Sequence, residues 1–458
     1  MNDQELHQNE YSDQYEEQVA EKSQTASKFA NNWQRNKIKL ARTYQEKVNA
    51  INNLVVQKRE EKKLTLTDGR VLTDFASCSY LGLDQDSQVI EAGKQIDDFG
   101  VNFSASRKHV RIEPLDTLEN LLSEIFCGAS ATVFTSVHLT HLGFIPLLAS
   151  GEMPSYPIKE NGPLFIVDKR AYPCLQINRG LMLQFGHIIN VNFENEKEIE
   201  MAFQTASRQN MTPISVSDSV ISMGGISPIH LLFDLADKYE GYVYLDDAEG
   251  TSVYGKNGCG YALDALNNVF HPRMILVGSL SKGFGANGGV LVLPTKADGE
   301  MVKDFAMPYL FSSPPCTSII NSAIASAKVH LSGEIVTLQN NLWDNVDYFD
   351  SLNRCPTLPA TDNVAMRSIV VGNENKAIEY AEKLQKAGFL VTVGIYPAMA
   401  IGEALLRVSI TANHHQQEIA ELCKYINKYV ESTHHKIEQA ILHAAFSLLH
   451  IKKNSLDR

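Results

Sequence analysis

Val277-Gly278-Ser279-Leu280-Ser281-Lys282-Gly283-Phe284-Gly285-Ala286-Asn287-Gly288-Gly289 decides the reading of this chain. It runs from an apolar strand into a Ser-x-Ser-Lys turn and then a glycine-rich loop. A lysine leaving a buried strand among small residues suits a Schiff-base lysine. Hydroxyls one and three residues before it suit a phosphate, and the glycines let a flat ring approach the backbone. Taken alone, the segment also fits a solvated surface lysine. The next informative stretch lies upstream, at Gly241-Tyr242-Val243-Tyr244-Leu245-Asp246-Asp247-Ala248-Glu249-Gly250-Thr251. It reads as a buried strand ending in a carboxylate pair and a small-residue turn.

Pyridoxal 5'-phosphate (PLP) needs both parts. It takes a lysine for its imine, a carboxylate at the pyridine nitrogen that keeps the ring an electron sink, and donors for its phosphate. Strand-Asp246-x-Ala248, then strand-Ser279-x-Ser281-Lys282, supplies the first two from one sheet.

Six further segments extend the pattern. Phe75-Ala76-Ser77-Cys78-Ser79-Tyr80-Leu81-Gly82-Leu83 is similar to F-x-S-N-x-Y-L-G-L, and Ala105-Ser106-Arg107 to G-S-R. Phe134-Thr135-Ser136 through Gly143 is similar to F-S-S-G-Y-x-A-N-x-G. Val216 to Pro228, with Ser222-Met223-Gly224-Gly225, is similar to E-S-V-F-S-M-D-G-D-x-A-P. Phe311-Ser312-Ser313-Pro314-Pro315 is similar to F-S-T-x-L-P-P, and Leu406-Arg407-Val408-Ser409-Ile410-Thr411-Ala412-Asn413-His414 to L-R-L-S-L-T-A-x-H. In these segments and their order the chain resembles the α-oxoamine synthase family of fold-type I PLP enzymes. That group includes 8-amino-7-oxononanoate synthase, 2-amino-3-ketobutyrate CoA ligase and serine palmitoyltransferase, and this chain reads as a divergent member.

The resemblance implies an α/β fold of the PLP-dependent transferase type I. Its large domain would hold a mainly parallel seven-stranded sheet, beside a smaller α+β C-terminal domain. It also implies roles. Lys282 would carry PLP and move the α-proton of the substrate. Asp246 would pair with the pyridinium nitrogen. Ser279 and Ser281 would hold the phosphate with backbone amides around Ser136, Val137 and His138 at a helix start. Ser222 would lie near the ring's phenolic oxygen. Arg407 would clamp the substrate carboxylate with its planar fork. Ser312 and Ser313 would reach the phosphate of a neighbouring subunit in a homodimer.

Departures from the pattern surround the ring. The histidine of D-x-A-H is Glu249 here. An ionised carboxylate cannot donate to a phenolate and would repel it. Glu249 is therefore protonated, turned toward another group, or a modifier of the imine's titration. The stacking histidine is replaced by Tyr172, which can still stack but lacks an imidazole's proton chemistry. Ser136-Val137-His138 replaces S-G-Y, losing glycine's freedom. Leu115 stands where the pattern has a histidine. Lys108, His109 and Arg111 replace small residues, suiting either an anionic acceptor such as CoA or a solvated basic turn.

Length and composition set the frame. The chain has 458 residues, 44% hydrophobic and 21% charged, as expected of a soluble protein of two or three domains. A net charge of −12 argues against general nucleic-acid binding. No apolar run approaches a membrane span, and the N-terminus lacks the basic and apolar regions of a signal peptide. Seven scattered cysteines suggest reduced packing residues in a cytoplasmic protein. His414-His415 and His434-His435 read as ordinary neighbours, and no metal site is expected.

Four regions are expected: an acidic then helical arm over 1–60, the N-terminal part of the small domain over 61–95, the large PLP-binding domain over 96–325, and the C-terminal small domain over 326–458. Trp33, Ile38, Leu40, Ala41, Val48, Ile51 and Leu54 carry the helical spacing of the arm. A hairpin with an Asp68-Gly69 turn follows over Leu64–Leu72. Strands are expected near 131–135, 164–167, 187–191, 213–217, 242–246, 274–277 and 289–293, then near 365–371 and 390–394. The Pro- and Gly-containing stretch Ser150–Gly162 reads as an inserted loop bordering the pocket. The tail from His434 reads as an amphipathic helix. The expected activity is condensation of an amino acid with an acyl thioester, from CoA or a carrier protein, usually with decarboxylation to an α-amino ketone. The alternatives are aminotransfer or other α-carbon chemistry on the same scaffold, and a non-enzymatic role as a partner subunit or regulator.

Overall fold

Uninterrupted apolar runs dictate the central layer. Pro163–Asp168, Tyr242–Asp246 and Met274–Ser279 are buried at every position, as strands covered on both faces must be. The computed structural model describes residues 35–431 apart from 37, 96–98, 104, 359–363 and 397. The acidic leader and the tail from His434 lie outside the described residues.

The chain first lays down β1 (Val56–Glu60), β2 (Lys63–Leu66) and β3 (Val71–Asp74) as an antiparallel ribbon. A large sheet follows, made of β4 (Ser130–Phe134), β5 (Pro163–Asp168), β6 (His187–Val191), β7 (Thr212–Asp218), β8 (Tyr242–Asp246), β9 (Met274–Ser279) and β10 (Gly289–Leu293). Its order is β4-β10-β9-β8-β7-β5-β6. Only β10 runs antiparallel to its neighbours. Successive side chains point to opposite faces. Val243, Leu245 and Leu276 therefore enter one core with Leu118, Leu122, Phe203 and Leu232. Tyr244, Ile275 and Val277 enter the other with Phe144, Leu148 and Tyr156.

A third core belongs to the two ends of the described chain. There β11 (Thr357–Leu358), β12 (Met366–Gly372), β14 (Thr392–Gly394) and β15 (Ala404–Ser409) form an antiparallel sheet in the order β11-β12-β15-β14. The remaining strand, β13 (Phe389–Leu390), leaves it and pairs parallel with β3.

Three expectations need correction. Residues 56–60, read as part of a helical arm, form β1, because Val56, Lys58, Arg59 and Glu60 pair with β2. The helix stops at residue 51. The stretch 390–394, read as one strand, is split at Val391 between two sheets, since the chain must serve β3 and then β15. The loop 150–162 does not border the pocket. Tyr156 donates to Met274 O, Lys159 N–H to Thr212 Oγ1, and Tyr242 OH to Pro157 O. Those contacts lie at the starts of β9, β7 and β8, the opposite edge from Asp246 and Lys282. No described helix is long and apolar enough to cross a membrane.

Candidate active site

The site gathers at the C-terminal ends of the parallel strands, where an open α/β sheet leaves a crevice. Asp218 ends β7 and Asp246 ends β8, and the two pair in register. Ser279 ends β9, and Lys282 follows it by one turn. The helix α1 (Val137–Ser150) starts beside the first residue of β10.

Asp246 is 2% exposed and ionised. Burial pushes its carboxyl up, but His141 and the charge of Lys282 outweigh this and leave it below the usual range. His141 Nε2 lies 3.0 Å from Asp246 Oδ2, and its Nδ1 lies 2.8 Å from the Tyr244 hydroxyl. A carboxylate only accepts, so Nε2 donates to Asp246. The Cys174 thiol adds a third contact, 3.3 Å from Oδ2. Burial and then the ionised Asp246 push Asp218 well above the carboxylate range. Its Oδ2 accepts the Tyr172 N–H at 2.7 Å. The adjacent Asp247 points to the other face, where burial raises it to about 8.

Lys282 Nζ sits 2.8 Å from Glu249 Oε1. Tyr80 OH donates to Glu249 Oε2 at 2.7 Å. Burial raises the Glu249 carboxyl, but Lys282 and Arg407 together bring it below its usual value. Glu249 is thus ionised and turned toward the lysine. The lysine is raised in turn, burial being overcome by Glu249. Tyr172, half-buried, places its ring centroid 5.7 Å from Lys282 Nζ.

Arg407 projects from β15 and is 8% exposed. It donates to Ser222 O at 3.2 Å and contacts Cys78 Sγ at 3.0 Å, while its Nε has no partner among the described residues. Ser136 caps α1 by accepting the Leu139 N–H. The amides of Val137 and His138 belong to the helix's opening turn, which has no internal partners for them. Ser279 Oγ accepts from Ser281 N–H, and Ser281 Oγ bonds Asn287 and Gly288 within the loop. Gly285, at φ +78°, brings that loop against Leu83 and Asp84. Ser312 donates to Pro308 O within its own turn. The basic turn reads plainly: Lys108 pairs with Asp304 and Arg111 with Asp116, all largely exposed.

The structure therefore brings Lys282, Asp246, Glu249, Tyr172 and Arg407 into one cluster, with Ser222 joined through its carbonyl. His141, Tyr80, Cys78 and Asp218 were missed by sequence reasoning. A signal existed for two of them, since His141 and Cys78 both stand where the quoted patterns have asparagine.

The profile of the aminotransferase class I and II family matches residues 216–426. An 8-amino-7-oxononanoate synthase from Coprothermobacter proteolyticus is 28% identical over 363 residues, 77% of this chain and 87% of that protein. The chain is thus similar to α-oxoamine synthases over most of its length. Its fold is shared with a serine palmitoyltransferase from S. paucimobilis, solved with PLP joined to myriocin. That match has a TM-score of 0.75 at 20% identity and covers 86% of this chain and 98% of the other. An 8-amino-7-oxononanoate synthase from Francisella tularensis matches with a TM-score of 0.58 at 22% identity, covering 79% and 99%. The chain is a PLP-dependent transferase of fold type I.

The residues present fit PLP. A buried ionised Asp246, a lysine beside an aromatic face, free helix-start amides and an arginine with an unpaired buried Nε are the donor set that it requires.

Proposed function

We propose that this chain condenses one amino acid with an acyl thioester, from CoA or a carrier protein, and releases the product as an α-amino ketone, usually with loss of CO2. The observation that carries the reading is the cluster of Lys282, Asp246 and Arg407 around one crevice, formed by segments far apart in sequence. PLP, when bound, supplies an electron sink for the carbanion at the α-carbon.

The chain's own residues would do the rest. Arg407 binds the substrate carboxylate, replacing its contact with Cys78. Lys282 Nζ takes the α-proton and later returns one. Asp246 holds a positive pyridine nitrogen, and His141 and Cys174 keep its carboxylate in place. Tyr172 covers the ring face. Ser222 would lie beside the ring's phenolic oxygen, while Glu249 faces Lys282. Ser279, Ser281 and the amides of Val137 and His138, behind the Ser136 cap, hold the phosphate.

A homodimer belongs to the same proposal. Ser312 and Ser313 would complete the neighbouring subunit's phosphate site. In the single chain Met307 and Phe311, on the same turn, are 66% and 80% exposed. Large apolar side chains left in water beside a site favour a covering partner.

Thiol release from acyl-CoA tests the reading, measured across a panel of amino acids. We expect release with one amino acid, abolished in Lys282→Ala. Formation of a keto acid from an amino acid with no acyl donor would instead establish aminotransfer, the reading favoured by an aromatic Tyr172 over the lysine.

A further inference from the structure

Tyr80 has no part in the roles given so far, yet it is completely buried and its hydroxyl meets a charged group. A phenylalanine would fill the same space. The two oxygens of Glu249 divide between two donors, Oε2 to Tyr80 at 2.7 Å and Oε1 to Lys282 at 2.8 Å. A buried carboxylate is held only where it is both paired and hydrogen-bonded. The two partners come from different parts of the fold. Lys282 belongs to the large sheet, whereas Tyr80 is tied to the third core through Ala412 N–H, which donates to Tyr80 O at 2.8 Å.

We propose that Tyr80 is a positioning residue for the lysine: its hydroxyl pins Glu249 so that the carboxylate is the resident counter-charge of Lys282. This rests on the reading of Lys282 as the PLP lysine. The groups facing the pair are Asp246, Cys78, Tyr172 and Arg407. The counter-charge has a chemical consequence. An ammonium has no lone pair to offer a carbonyl, so Lys282 must first give up a proton, and Glu249 is the carboxylate placed to take it. With PLP bound, an ionised Glu249 would favour a protonated nitrogen at Nζ.

The test uses the full-length holoprotein and follows its visible absorption against pH in wild type, Glu249→Gln, Tyr80→Phe and the double variant. Removing the counter-charge should lower the midpoint by about one to three pH units in Glu249→Gln. Tyr80→Phe should lower it by less, and should add nothing in the Glu249→Gln background. A second readout is the pH–rate profile of Lys282 labelling by trinitrobenzenesulfonate in the PLP-free chain, which should move the same way. Glu249→His serves if the glutamine variant does not fold. A purely structural Tyr80 would lower the melting temperature and leave both profiles in place, and that result overturns the proposal. So does an equal shift from Tyr80→Phe with and without Glu249. Failure of the wild-type chain to take up PLP overturns the functional reading instead, and the labelling profile then still decides the pairing.

Discussion

At the residue scale, two buried histidines make acid stability a readout of packing. His330 lies between Ser326 O and Ser252 Oγ. His414 stacks on Phe75 with ring centroids 3.9 Å apart. Burial lowers His330 from 6.5 to about 4, and burial followed by the charge of Lys62 lowers His414 to about 3. Both rings bind protons less well in the fold than in the unfolded chain. Their stabilisation is whole above pH 6.5 and drains as the pH falls toward 4 and 3. At pH 5 each linkage removes ~2 kcal/mol. Unfolding at pH 5.5 should therefore take up about two protons fewer in a His330→Gln, His414→Gln double variant than in the wild type, and calorimetry in buffers of different ionisation enthalpy measures the difference. Equal proton uptake in the two proteins would refute the assignment. His141 allows a sharper local test. His141→Phe keeps the volume but removes both bonds, and PLP should be retained more weakly by on the order of tenfold. Unchanged affinity would show that Asp246 needs no such support. Lys282, Asp246 and Arg407 were legible in the sequence because their chemistry is local to short motifs. The partners of Glu249 were not, because Tyr80 and Lys282 meet it across 169 and 33 positions of chain.

At the element scale, the start of α1 depends on a missing side chain. A Cβ on Gly289 would lie 2.5 Å from Val137 N and 2.6 Å from Ser136 C. Both are backbone atoms, so the helix itself would have to move. Gly289→Ala should cost about 1–3 kcal/mol and weaken PLP retention with it. A variant of normal melting temperature and normal PLP affinity would remove the helix start from the site. The strands of the large sheet were legible from apolar runs: 187–191, 242–246 and 289–293 end where expected. β1 was not. Val56-Gln57-Lys58-Arg59-Glu60 carries a mostly exposed, charged edge whose strand state comes from pairing with β2 rather than from its own pattern.

At the scale of the whole molecule, the turn after β10's helices links cofactor and assembly. Arg107, buried, donates to Tyr309 O and Val133 O and lies 3.7 Å over the Tyr309 ring, fixing the segment that presents Phe311, Ser312 and Ser313. Changing Ser312 and Ser313 together to alanine should lower PLP retention without altering the melting temperature of the PLP-free chain. Equilibrium dialysis measures the first and calorimetry the second, and unaltered retention would remove the neighbouring subunit from the phosphate site. The G-S-R resemblance pointed at Arg107, but its job of holding a turn some 200 residues away appears only in three dimensions.

The pairing of β3 with β13 also sets a timetable. Thr73 and Asp74 leave the ribosome long before Phe389 and Leu390 exist to meet them. At ordinary elongation rates of about 5–20 residues per second, β3 waits roughly 15–60 seconds for its neighbour. During that interval one strand edge of the nascent ribbon is uncovered, a template for the wrong partner. Newly made chains should consequently need shelter early in synthesis, while the sheet that will carry the lysine is still being translated.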